Sequence, residues 1–221
     1  MKAVILLVAA TALIGAAPSQ RARPYEAGGF EPNWVLTIAN GRLTYDPGLA
    51  GVRPTSVPLP PRQPVPNGYR YVTRGLTVDV RHVRCHSYSG RVFADTVRVT
   101  GVAEPGCGGR PIAPPRLTAT IWELDAIGGA RYRHGEVNLH FAYDGVLRGN
   151  AGCSDFTVPF TERRPVVRFG RMTVSRRDCA GLGLERERRA LAVFSGAARI
   201  SFVNGDTLIL TGRHGNARLV P

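Results

Sequence analysis

The chain has 221 residues, 43% hydrophobic and 8% aromatic, with 29 Lys+Arg against 16 Asp+Glu and a formal charge of +13. This excludes a disordered polyelectrolyte and leaves room for one large domain or two small ones. Lys2 is the only lysine, so the surplus is arginine. An arginine surplus fits an anionic partner, and equally a GC-rich coding sequence that writes Arg wherever a surface cation will serve. The densest cluster, Arg176, Arg177, Arg186, Arg188 and Arg189, is broken by Asp178, Glu185 and Glu187.

Residues 1–19 read as a secretory signal peptide. Lys2 is a short positive start, residues 3–14 are apolar, and small residues follow. The run falls short of the ~18–20 residues a membrane span needs. No later segment spans a bilayer in this reading, and no cysteine follows the apolar run to carry a lipid. The expectation is a periplasmic or secreted protein, which disfavours nucleic acid as a partner.

Residues 18–29 read as a tether. Residues 33–45 hold two alternating runs around Asn40-Gly41, the preferred type I′ pair, and predict a hairpin. The Pro-rich residues 53–68 read as a stiff, extended loop. Residues 76–83 and 91–103 alternate as strands. The Pro/Gly stretch at 108–117 marks a boundary. The division is a β-rich domain over 20–110, a linker over 111–117 and a second domain over 118–221.

In the second half, residues 117–124, 137–149, 165–174 and 199–220 read as strands and hairpins. Turns fall at Asp144-Gly145, Asn204-Gly205-Asp206 and His214-Gly215-Asn216. Residues 183–196 give the one convincing helix, with Leu184, Leu191 and Phe194 on a shared face. Trp34 and Trp122 each sit in the first strand of their half and read as core anchors. The fold class is mainly β, two small β-rich domains, the second with a packed helix.

Cys85, Cys107, Cys153 and Cys179 form an even set, which an oxidising compartment would pair. Three pairings are open. Pairing nearest neighbours would put one bridge in each half, each worth about 3–3.5 kcal/mol in the chain-entropy model.

Catalytic signals are weak. The histidines, His82, His86, His134, His140 and His214, sit in no nucleophile motif. There is no CxxC, HxxxH or HExxH, so no metal is expected. The segment HSYSG at 86–90 lacks the first glycine of a nucleophile elbow, and GLGLER at 181–186 is no phosphate loop. No cofactor is expected. The enzymatic alternative is a hydrolase using a Ser or Cys in the loop from Cys85 to Arg91.

The second half resembles the META (HslJ-like) domain family. The carrying residues are Trp122-Glu123-Leu124, then Gly149-Asn150-Ala151-Gly152-Cys153-Ser154-Asp155-Phe156, a strand leading to Cys179, a helix over 187–194, and Gly205-Asp206-Thr207-Leu208-Ile209-Leu210. Ser154 stands where asparagine is usual. The resemblance implies a barrel-like sheet with one packed helix, and a structural role for Trp122, Gly149, Gly152, Cys153, Phe156, Gly205, Asp206 and Leu208. It also implies a bridge from Cys153 to Cys179. The first half resembles an exported module found beside META domains, through Glu31-Pro32-Asn33-Trp34, Cys85 and Gly106-Cys107. The family implies a non-enzymatic, stress-related envelope protein. Its expected partners are an anionic lipid, lipopolysaccharide or another envelope protein.

Overall fold

The computed structural model describes residues 23–30, 33–175 and 182–221. Two antiparallel sheets follow one another along the chain. The first contains β1 (Tyr25–Gly29), β2 (Trp34–Ala39), β3 (Arg42–Asp46), β4 (Thr55–Pro58), β5 (Gln63–Val65), β6 (Gly68–Val72), β7 (Thr77–Arg81), β8 (Cys85–His86), β9 (Val92–Val99) and β10 (Gly106–Ile112). Its order is β4-β3-β2-β1-β10-β9-β7-β6-β5, with β8 laid beside β9.

One face of this sheet carries the core. Trp34, Leu36, Leu43, Val78, Val80, Val97 and Val99 are buried on it. The Asn40-Gly41 turn has φ of 50° and 71°, as a type I′ hairpin requires, and pairs β2 with β3. Two expectations change. The tether reading ends at Tyr25, because β1 lies at the centre of the sheet between β2 and β10. The loop reading of 53–68 also changes, because β4 and β5 are the two outer strands. Proline suits them there, since an outer strand has one set of backbone groups free of the ladder.

The second sheet contains β11 (Thr120–Ile127), β12 (Ala130–Arg131), β13 (Asn138–Phe141), β14 (Val146–Asn150), β15 (Asp155–Arg163), β16 (Val166–Phe169), β17 (Thr173–Ser175), β18 (Gly196–Val203), β19 (Thr207–Gly212) and β20 (Gly215–Val220). The path β11-β13-β14-β15-β16-β18-β19-β20 closes on itself where β20 pairs with β11. Eight strands leave an interior just wide enough for side chains to fill. Trp122, Leu139, Phe141, Leu147, Phe156, Val158, Leu208, Leu210 and Leu219 belong to the core that fills it.

The helix α1 (Leu182–Val193) precedes β18. Ala190, Val193 and Phe194 are buried, and Phe194 packs on Phe156 at 5.5 Å and on Phe169 at 5.8 Å. Glu187 shares this buried side, which the apolar pattern did not anticipate. Arg186 ties the helix to the barrel. Its Nε and Nη2 donate to the two Glu136 carboxylate oxygens at 2.8 and 2.9 Å, and its guanidinium lies 4.5 Å from the Tyr132 ring centroid.

The two halves touch. The Ile121 amide donates to the Ser89 carbonyl at 3.3 Å. A Cβ on Gly90 would stand 1.9 Å from the Ala119 carbonyl oxygen, and one on Gly205 would stand 2.4 Å from that of Pro111. Both glycines have positive φ, so geometry and space together require them.

Candidate functional site

The N-terminal sheet carries an open groove of about 1020 Å³. Its floor is made by β1 and β10, which pair through Ala27 with Gly108 and Gly28 with Cys107. Both strands are rich in glycine for a packing reason. A Cβ at Gly29 would fall 2.1 Å from Trp34 Nε1, and one at Gly106 would fall 2.5 Å from Trp34 Cζ2. The indole therefore occupies the space that side chains at 29 and 106 would fill, Asp95 Oδ2 stands 2.5 Å from a Cβ on Gly109, and the backbone of Gly28, Gly29, Gly106 and Gly109 lines the groove.

One wall is the segment from Cys85 to Arg91. The Cys85–Cys107 disulfide fixes it to β10. The Ser87 amide donates to the Arg91 carbonyl at 2.8 Å, the Gly90 amide to the Ser87 carbonyl at 2.9 Å, and the Arg91 amide to Ser87 Oγ at 3.1 Å. Tyr88 stands out from this turn and stacks on Phe30, with centroids 4.7 Å apart and planes 4° apart. These rings are 81% and 59% exposed, so the stack is a solvent-facing surface rather than a piece of core.

Arg91 runs along the same wall. Its guanidinium lies 4.8 Å from the Phe93 ring centroid. Its Nε is buried and has no hydrogen-bond partner among the described residues. Burial lowers its pKa, and the charge of Asp206, reaching in from the barrel, opposes that shift. Arg23 and Arg110 also line the groove, as do Glu26 and Glu104.

This wall is also the segment of the hydrolase alternative. Cys85 is half of a disulfide, so the version that uses its thiol is overturned. Ser87 Oγ and Ser89 Oγ lie 3.1 Å apart and bond each other. Among the described residues neither hydroxyl is bonded to a histidine, and no group of three or more His, Cys, Asp and Glu is placed to hold a metal.

A second polar cluster, not singled out in the sequence, lies at the core face of the same sheet. His82 Nδ1 and Asp95 Oδ1 are 2.9 Å apart, and Asp95 is buried. His82 packs edge-on against Tyr69 at 5.6 Å. Arg62 donates from Nε to the Tyr71 hydroxyl at 2.9 Å and lies over the Tyr69 ring. Burial and the neighbouring Tyr71 push the Tyr69 phenol up to about 12. Burial and the Asp95 carboxylate push Tyr25 higher still. A signal existed: Tyr69, Tyr71, Val78, Val80 and His82 all fall on one face by alternation.

The barrel positions the remaining expected residues. Trp122 is buried and donates from Nε1 to Thr120 Oγ1 at 2.7 Å. A Cβ on Gly149 would meet the Phe156 ring at 2.6 Å, and Gly152 has φ of 91°. Cys153 is disulfide-bonded, while Cys179, its expected partner, lies outside the described residues. Phe156 and Leu208 are in the core. Gly205 and Asp206 instead face the N-terminal half, beside Pro111 and Arg91.

A closed eight-stranded antiparallel barrel with one helix packed into its core defines the second half as a small β-barrel module. Residues 115–220 match the META domain family, and the C-terminal half of the chain is a META domain. Comparison with curated proteins finds no match. Two solved structures are similar. One, determined by NMR, is 13% identical over 45% of this chain and 86% of its own, with a TM-score of 0.39. The other, an NMR structure of a protein from Burkholderia xenovorans, is 17% identical over 47% of this chain and 81% of its own, with a TM-score of 0.38.

Proposed function

We propose that this is an exported, non-enzymatic envelope protein that binds an envelope component in the groove of its N-terminal half, with the META barrel as its rigid support. The observation that carries the reading is the groove itself. It is concave, floored by bare backbone, walled by a disulfide-held turn, and edged by an exposed aromatic stack beside arginines. Binding sites combine concavity with a few convergent polar groups, and a crosslinked wall loses little freedom when a ligand arrives.

Export is supported by the signal-like first residues and by the disulfide, since such bonds persist in oxidising compartments. No described helix is long and apolar enough to cross a membrane. The barrel interior is filled by its own side chains, which favours the groove over the barrel as the place a ligand enters. A stress-related role follows only from the family.

The test is co-sedimentation of the mature protein with isolated cell envelopes, lipopolysaccharide and anionic vesicles, repeated with Phe30→Ala and Tyr88→Ala. Retention in at least one fraction is expected, and each substitution should weaken it about 10-fold. Retention in none, or retention indifferent to both substitutions, would end this reading.

A further inference from the structure

Resting on that reading, the charge and shape of the groove narrow its ligand. Three arginines line it, Arg23, Arg91 and Arg110, together with three acids, Glu26, Glu104 and Asp206. A balanced rim repels a polyanion as much as it attracts one, so nucleic acid and a densely phosphorylated surface are poor fits. An acyl chain laid along the groove would leave these six charged side chains and the backbone groups of the floor without polar partners. What suits them is a ligand rich in hydroxyls, able to donate to the acids and accept from the arginines and backbone amides.

Two features add detail. The Phe30–Tyr88 stack offers flat apolar ring surface to solvent at the groove's edge, with the planes only 4° apart. A pyranose presents a matching apolar C–H face with hydroxyls around its rim. Arg91 adds an unmet demand, since its buried Nε has no acceptor among the described residues. A guanidinium lying over a ring, as Arg91 lies over Phe93, keeps its donors in its own plane, and the edge formed by its two terminal nitrogens, which unlike Nε are not buried, fits the two oxygens of a carboxylate. Asp206 is the neighbouring acid whose charge is felt at Arg91, and it makes no hydrogen bond to Arg91.

We propose that the groove binds a carboxylated sugar, the ring lying on the Phe30–Tyr88 stack and the carboxylate accepting from the edge of Arg91. Two kinds of glycan supply this chemistry, hexuronic acid polymers and sialic-type nonulosonic acids.

The experiment is calorimetric titration of the mature protein with galacturonic acid oligomers, with the same oligomers after reduction of the carboxyl to the alcohol, with sialyllactose and with lactose. Each acidic probe that binds should do so at least about 10-fold more tightly than its neutral counterpart. Which of the two acids binds identifies the source. Arg91→Gln should abolish the preference for acid and leave the residual neutral affinity. Tyr88→Ala, at an 81% exposed position, should weaken acid and neutral forms alike. The acid-over-neutral comparison on the unaltered protein keeps the test valid if Arg91→Gln fails to fold. Equal affinity for acidic and neutral forms, or a preference that survives Arg91→Gln, overturns the proposal. If no sugar binds while envelope retention still depends on Phe30 and Tyr88, the sugar assignment fails and the groove reading stands. If retention is also absent, both fail.

Discussion

Gly205 is pressed against Pro111 so closely that a β-carbon on it would stand 2.4 Å from the Pro111 carbonyl oxygen. The glycine belongs to the barrel's β18–β19 turn, and the proline to the last strand of the other sheet. A turn that resembles the META pattern is therefore used here as a contact between the halves. Its φ of 84° adds a conformational demand to the steric one. Gly205→Ala should cost about 1–3 kcal/mol, from strain and from displaced backbone. Two readouts separate the causes. Denaturant midpoints report the stability loss, and limited proteolysis across residues 113–119 reports loosened docking. A variant with unchanged proteolysis would mean that the contact does not hold the halves together.

Arg186 makes the next prediction. It donates to both Glu136 oxygens, donates from Nη2 to the Arg131 carbonyl at 2.8 Å, and covers Tyr132. The Arg186 guanidinium holds the Glu136 carboxyl below its usual range. The pair is partly solvated, so the charge alone is worth little, but the fork geometry and ring contact raise its value. Arg186→Ala should destabilise the fold by about 1–2 kcal/mol in denaturant unfolding. Because the Glu136 pKa is depressed when folded, its contribution is present above the unfolded carboxylate value and fades as pH falls through the folded one. The gap between wild type and variant should therefore narrow in acid, leaving the part due to the Tyr132 ring contact. A gap that stays undiminished there would assign the loss to packing on Tyr132 instead.

Alkaline pH should weaken the N-terminal sheet. Burial raises Tyr25, and Tyr69 rises to about 12, from an ordinary value of 10.0. The unfolded chain releases these protons first. Stability from them is complete below that ordinary value and is lost as pH climbs through it towards the folded values. Denaturant midpoints measured across this range should fall, and Tyr69→Phe should fall less steeply than wild type. Equal slopes would show that Tyr69 ionises freely in the folded protein.

The legibility of the chain followed its side chains. The Asn40-Gly41 hairpin could be read because its alternation and turn residues agree, and β7, β9 and β18 to β20 announced themselves likewise. The strands that floor the groove did not. β1 (YEAGG) and β10 (GCGGRPI) have almost no alternation, because the Trp34 ring lies against the Cβ positions of Gly29 and Gly106, and Ala27, Tyr25 and Asp95 lie against those of Gly108 and Gly109. The groove was hidden for the same reason. The available signal was the cluster of Gly28, Gly29, Gly106, Gly108 and Gly109 around a cysteine, within one domain that also holds a buried tryptophan. β15 is absent from the strands read in the sequence; Pro159 lies within it, while Phe156, Val158 and Phe160 alternate and are buried. Arg91 and Asp206 lie 115 positions apart, and only the docking of the sheets brings them near each other.

The disulfide joins stability to the site. Cys85 and Cys107 are 22 positions apart, with Cα atoms 5.2 Å apart. Closing a loop of that length restricts the unfolded chain by about 3 kcal/mol. The same bond pins β8 and the turn that carries Tyr88 and Arg91 against the groove floor. The double substitution Cys85→Ser with Cys107→Ser should thus lower stability by about 3 kcal/mol and also loosen the wall. Thermal or denaturant unfolding measures the first effect. Hydrogen exchange at the Gly90 and Arg91 amides measures the second, since both bond within the turn. Under conditions where the variant remains folded, those two amides should exchange faster while the barrel strands β13 and β14 keep their protection. If the turn keeps its protection without the bond, its own hydrogen bonds and the contact of Ser89 with Ile121 are sufficient to hold the wall, and the crosslink serves stability alone.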